Sequence, residues 1–263
     1  MTFSIVAKDG EHWGVAVASK FLAVGAAVPA AQANVGAVAT QAAANLTYRP
    51  EGLRLLSEGR TAQQVLDQLT SADDGRAQRQ AGVVDRTGTA ATFTGAECHP
   101  WAGGRAGEGW AVQGNILTGP EVVDAVVEAF EQSTGTLAHR LATALLAGDR
   151  AGGDRRGRQS AALLVVTEGG GYGGGSDVLV DLRTDDHPDP VLELGRLLDL
   201  HDLYFGKPTE TLPLEGELGQ EVADRLAALG FATLDDWAGV ENYEERMVEG
   251  AIDVLVLQKL REA

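Results

Sequence analysis

The sequence predicts an α+β fold: a four-layer αββα sandwich followed by a small helical C-terminal domain. Three observations predict it. Apolar, β-branched strand patterns and pairs of helical patterns follow one another as strands, two helices, strands, two helices, strands. Several strands are apolar on both faces and need cover on each, which two stacked sheets with helices outside them supply. After Pro190 the chain turns helical and acidic, around a linker with two prolines. The expected domains are 1–205 and 206–263.

The opening reads as a meander. Thr2 to Ala7 alternates as a strand, Lys8-Asp9-Gly10 is a hairpin turn, and Trp13 to Ser19 and Val35 to Thr40 are further strands. Helical spacing follows from Leu53 to Gly59. A second helix starts at Thr61, a good N-cap with Gln64 as its capping-box partner. Strands return at Arg79–Asp85, Thr89–Gly95 and Trp110–Asn115. Pro120 then opens a helix through Val122, Val126 and Phe130, and another runs from Leu137 to Ala147. Ser160–Thr167 and Asp177–Leu182 are the last two strands, joined by the glycine-rich EGGGYGGGS. That segment reads as a hairpin tip, since no helix with a lysine follows it as in a phosphate-binding loop. Helices are expected at Val191–Leu200, Leu218–Leu229 and Glu244–Leu260, with Gly206–Glu217 as linker.

A chain of 263 residues with 44% hydrophobic residues can bury a sizeable core. Its formal charge of −17 argues against nucleic acid and against anionic membrane, both of which need a basic face. The single cysteine, Cys98, excludes an internal disulfide and a cysteine metal cluster. The N-terminus lacks a signal-peptide pattern and no stretch reaches the length of a membrane span, so the expected compartment is the cytoplasm. From Gly206 onward, 13 acidic residues stand against 5 basic ones. This tail is too small for a large core of its own. It is expected to pack on the main domain or on a second chain, and a homodimer or higher homo-oligomer is the expected assembly.

The sharpest chemical feature is Thr2. A small second residue permits removal of Met1, which would leave a threonine hydroxyl beside its own α-amine. A hydroxyl alone is a poor nucleophile at neutral pH, and an amine of pKa about 8 is a suitable local base. Ser19, Lys20, Asn45 and Asn115 fall at expected strand ends and complete the candidate catalytic set. Lys20 is expected to support Thr2 electrostatically. Gln41, Asp154 and Arg158 are the candidate substrate-binding residues: Gln41 lies near a strand-to-helix junction, where backbone N–H groups can receive an oxyanion, and Asn45 either adds a donor there or caps the helix. Asp154, Arg155, Arg156 and Arg158 either bind a substrate carboxylate or form a structural ion-pair network. Asp185, Asp186, His187 and Asp189 cluster, but without the spacing of a cation loop. No metal and no cofactor is expected.

The motifs TFSIVAKDG, GVAVASKFLAVG, GAVATQAAAN, RQAGVVDRTGTAATFTG, VQGN, AGGDRRGRQSAAL and DLRTDDHPDPVLEL span nearly all of residues 2–200. With them the chain resembles the family known as domain of unknown function 1028. The opening strands resemble those of proteasome-type N-terminal-nucleophile (Ntn) hydrolases. The resemblance implies an Ntn-type αββα fold and hydrolysis of an amide, with no substrate named. The chain departs from the proteasome pattern: its second strand ends Ala18-Ser19-Lys20 without an aspartate, and no lysine occurs near the third. The tail resembles a small domain labelled by similarity as peptidoglycan-binding. Two readings follow. One is an amidohydrolase acting on a small amide or N-acyl compound through Thr2. The other is a non-catalytic binding protein that recognises its partner through the helical tail.

Overall fold

A computed structural model describes residues 2–263. One compact unit extends to Arg196 and a second runs from Leu197 to Ala263.

The first unit has two antiparallel sheets. In sheet A lie β1 (Thr2–Asp9), β2 (His12–Ser19), β7 (Gly103–Gly107), β8 (Trp110–Asn115), β9 (Ser160–Val166) and β10 (Val178–Thr184), in the order β10-β9-β2-β1-β8-β7. In sheet B lie β3 (Pro29–Gln32), β4 (Gly36–Ala42), β5 (Arg79–Asp85) and β6 (Ala90–Thr94), in that order. The sheets stack, with β1 and β8 facing β4 and β5. Helices α2 (Tyr48–Ser57) and α3 (Ala62–Ser71) cover sheet B. Helices α4 (Glu121–Gln132) and α5 (Leu137–Arg150) cover sheet A. A short helix, α1 (Val24–Ala27), sits beside β2 and β9.

Strand alternation explains the layers. On β1, Phe3 points out towards α5, where Gly148 and Gly153 leave room for its ring. Thr2, Ser4 and Val6 point inward to sheet B. The inward face is apolar at one end, where Val6, Trp13, Val15, Val17, Ala37, Ala39 and Val84 pack together. On the outer face of sheet B, Val38, Ala81 and Val83 meet Tyr48, Leu55, Leu56, Val65 and Leu66. Thr61 and Gln64 form the capping box of α3, each side chain bonded to the other's backbone N–H.

Besides two 3-10 turns, the short elements α1, β3 and β7 of the first unit are absent from the sequence expectation. The glycine-rich stretch connects β9 to β10, and its ends are tied by Gly171 N–H to the Ser176 carbonyl and Gly169 N–H to Asp177.

The second unit begins inside α6 (Pro190–Phe205), which is six residues longer than the expected Val191–Leu200. It holds α7 (Gly216–Leu229), α8 (Leu234–Glu241) and α9 (Val254–Glu262), with a two-stranded ribbon of β11 (Thr211–Pro213) and β12 (Ala251–Asp253). The single helix expected over Glu244–Leu260 is therefore corrected to a 3-10 turn at Glu244–Arg246, then β12, then α9. Gly250 at φ 71° breaks the helical path. Asp253 restarts it by accepting the N–H groups of Leu255 and Val256 at 2.8 and 3.2 Å. Trp237, Tyr243, Val222, Ile252 and Leu257 form this unit's core. Among the described residues no helix is long and apolar enough to cross a membrane.

Candidate functional site

At the Thr2 end of the sandwich the inter-sheet face changes from apolar to polar. Thr2 lies beyond the Phe3–Ala18 pair on β2 and opposite Asn115 on β8. Its Oγ1 is 3.0 Å from Ser19 Oγ, and both residues are buried. Its carbonyl accepts Gln41 Nε2 at 3.2 Å and, more weakly, Asn115 Nδ2 at 3.4 Å. Three strands from two sheets thus converge on one residue at the start of a central strand.

Behind Thr2 lies a buried amide network. Gln80 Oε1 accepts Gln41 Nε2 at 2.8 Å and Asn115 Nδ2 at 2.9 Å. Ser4 Oγ donates to Gln41 Oε1 at 2.7 Å, and Gln113 Nε2 reaches Ser4 Oγ at 2.6 Å. Gln113 Oε1 rests against Gly82, where a Cβ would stand only 2.1 Å from it. Gly82 is therefore required for the glutamine to fit. Gln41, expected to bind substrate, and Asn115, expected in the catalytic set, both spend their donors on the Thr2 carbonyl and on Gln80 Oε1. Gln80, Gln113 and Ser4 were missed by the sequence reading. Their signal is a polar residue on a strand face that is elsewhere apolar.

Beside Ser19, the backbone of Lys20 is pinned by Asp154, whose Oδ2 accepts its N–H at 2.7 Å. Asp154 is buried and also takes the N–H and guanidinium of Arg156. The Lys20 ammonium donates to the Arg158 carbonyl at 3.2 Å and is exposed. The Arg158 guanidinium pairs with Asp149 and Asp189, which raises its pKa, the Asp149 hydrogen bonds being the largest cause. The charged run thus takes the arrangement of a structural ion-pair network.

Asn45 is turned to a different cluster. Its Nδ2 donates to Asp73 at 2.9 Å, and its Oδ1 accepts from Thr47. Asp73 also receives Arg79, Tyr48 and the Gly75 N–H. Arg79 first, and Asn45 next, hold the Asp73 carboxyl well below the usual range, while burial and Asp73 itself push the Tyr48 phenol up. The cluster fixes the link between β4 and α2.

The acidic run near β10 does not converge on one point. Asp185 pairs with Arg183, Asp186 accepts Gln159, and Asp189 faces Arg158. Cys98 donates to the Arg79 carbonyl, and burial pushes its thiol up, the opposite of an activated nucleophile. Removal of Met1 concerns a position outside the described residues.

The family model described as "Family of unknown function (DUF1028)" matches residues 2–194. The chain belongs to that family. The match covers both sheets and the whole Thr2 cluster. A second family model, described as "Putative peptidoglycan binding domain", matches residues 204–260. Among solved structures, the chain is similar to a Silicibacter pomeroyi protein whose crystal structure is titled with the same family. The two are 32% identical, the match covers 84% of this chain and 92% of that one, and the TM-score is 0.70. No curated protein matches the chain.

Proposed function

We propose that this family member is an N-terminal-nucleophile amidohydrolase, with Thr2 as nucleophile and its own α-amine as base. One observation carries the reading: a buried threonine at the start of a central strand, its hydroxyl 3.0 Å from Ser19 and its carbonyl held by two side-chain amides.

Cleavage of the Met1–Thr2 bond would free the amine. The Thr2 hydroxyl then attacks the amide carbonyl carbon and passes its proton to the α-amine. The tetrahedral oxyanion collapses, the C–N bond breaks, and the leaving amine takes the proton from the ammonium. Water repeats the cycle on the Thr2 ester and releases the acid. Ser19 orients the nucleophilic oxygen, and Asp154 holds the end of β2 that carries Ser19. No lysine relay enters, because the Lys20 ammonium is engaged at Arg158. The substrate class is a small amide or N-acyl compound, and no nucleic acid is expected. The mass of the mature protein tests the starting point: loss of Met1 is expected, and a retained Met1 contradicts the reading.

The match over 204–260 favours an added role for the tail, recognition of peptidoglycan or its fragments. Co-sedimentation of the full chain with purified peptidoglycan is the expected result; a chain left wholly in the supernatant rejects this role.

A further inference from the structure

We infer that Gln80 is the positioning residue of the Thr2 site, setting the direction of the two side-chain amides that hold the Thr2 carbonyl. The inference rests on the reading of Thr2 as nucleophile.

An Asn or Gln side chain has a donor end and an acceptor end of nearly the same shape, so its direction must be imposed by neighbours. Gln41 and Asn115 serve Thr2 only with their NH2 ends towards its carbonyl. Gln80 Oε1 accepts from both, at 2.8 and 2.9 Å. Turning either amide over would place oxygen against Gln80 Oε1 and oxygen against Thr2 O.

Gln80 is itself directed by groups that cannot turn. Its Nε2 donates to the backbone carbonyls of Gly114 at 2.7 Å and Gly103 at 3.2 Å, and to Thr94 Oγ1 at 2.9 Å. Backbone carbonyls are acceptors only, so they fix Nε2, which fixes Oε1, which fixes the amide of Asn115 and, together with the Gln113 carbonyl at 3.3 Å, that of Gln41. The polarity runs one way, from the main chain of β7 and β8 to the carbonyl of Thr2. Gln80 is completely buried, so water does not compete for these bonds.

The nucleophile needs such support. A threonine freed at its amine has lost the peptide group before it, and its main chain is held from one side only. Rotation about its Cα–C bond would swing the amine and Oγ1 together away from Ser19. Fixing the carbonyl oxygen sets the plane of the Thr2–Phe3 peptide and so the place and direction of that Cα–C axis, and the Ser19 hydroxyl then holds the turn about it. Gln80 acts through other residues and touches no substrate, so its contribution is to orientation.

The test uses the full chain and a β-lactone acylating probe. The rate of Thr2 acylation is followed against pH in the wild type, Gln80→Met and Gln80→Glu, well below each melting temperature. Gln80→Met is expected to lower the limiting rate by roughly 10–100-fold, the scale of a misplaced reacting group, with the pH midpoint unmoved. Gln80→Glu, which as a neutral acid keeps an acceptor and one donor, is expected to recover part of that loss. A folded Gln80→Met that reacts at the wild-type rate overturns the inference while leaving the nucleophile reading intact. If Gln80→Met does not fold, side-chain amide exchange in the wild type decides. Slowly exchanging Gln41 and Asn115 amides whose resonances move when Thr2 is acylated are expected; freely exchanging ones overturn the inference. A wild type with protected amides that is never acylated at Thr2 overturns the nucleophile reading instead.

Discussion

Thr2 Oγ1 and Ser19 Oγ lie 3.0 Å apart on adjacent antiparallel strands, both on the face between the two sheets. The pair joins the start of β1 to the end of β2. Removing the Ser19 hydroxyl should leave the fold intact and free the Thr2 side chain to turn. Ser19→Ala is expected to slow Thr2 acylation about tenfold, or about 1.4 kcal/mol in barrier. Probe kinetics on the folded variant check this, and an unchanged rate removes Ser19 from the site.

Asp154 holds the next residue along. Its buried carboxylate accepts two backbone N–H groups, from Lys20 and Arg156. Asp154→Ala removes the acceptor of both donors at a part-buried site. A loss of roughly 2 kcal/mol in stability is expected, typical of hydrogen bonds to a charged group. Urea unfolding measures it. Thr2 acylation should fall as well, since the end of β2 is no longer fixed.

The Asp73 cluster makes a prediction about pH. Arg79, Asn45, Gly75 and Tyr48 together depress the Asp73 pKa in the folded state. Its contribution is therefore full above the unfolded value of about 3.9 and is lost as pH falls towards the lower folded value. Asp73→Asn should melt well below wild type at pH 7, with the gap narrowing as pH drops below about 4. Tyr48 has a raised pKa and acts at the other extreme: its contribution is lost as pH rises above about 10. Thermal melts across pH for wild type and Asp73→Asn check the first. A gap that widens in acid contradicts it.

In the second unit, Arg246 and Asp253 form an ion pair at 3.0 Å with both side chains almost fully buried. Arg246 also donates to the carbonyls of Asp202 and Leu203, within the end of α6. Removing one partner leaves the other charged and buried, which costs about 3–5 kcal/mol. Arg246→Met should therefore unfold this unit at a lower temperature while the Thr2 site keeps its behaviour. The same contacts predict that a cut after Phe205 exposes Leu203 and Tyr204, which pack against the tail core. A cut before Leu197 should give the cleaner separation of the two units. Differential scanning calorimetry of both truncations distinguishes these cases.

Much of the fold is legible as alternation. β1, β2, β5 and β8 declare themselves through runs rich in β-branched and small apolar residues, buried on both faces, and α3 through Thr61 and Gln64. Strand β7 reads Gly-Gly-Arg-Ala-Gly and carries no apolar signal. It exists through pairing with β8, and a Cβ at Gly104 would come within 2.6 Å of the Val112 carbonyl. Strand β3 is four residues opening on Pro29, an edge strand specified by its neighbour β4. The C-terminal helix is shorter than its apolar pattern predicts because Gly250 and Asp253 interrupt that pattern ahead of Val254–Glu262. At the site, Thr2, Ser19 and Asn115 stand out as residues at strand ends. Gln80 does not, because its role depends on stacking two sheets whose register no local pattern encodes. The clue was present in parity: Gln80 shares a face with Gly82 and Val84, and Gln113 with Ala111. A glutamine on such a face is costly unless a partner meets it.

Peptide mapping after treatment with an electrophilic acylating probe tests most directly whether Thr2 is the nucleophile. One acylated position is expected, the Thr2 hydroxyl, in a chain that begins at Thr2, with no labelling in Thr2→Ala and retained labelling in Thr2→Ser. Labelling that falls on Cys98 or Ser19 instead, or that persists in Thr2→Ala, contradicts it.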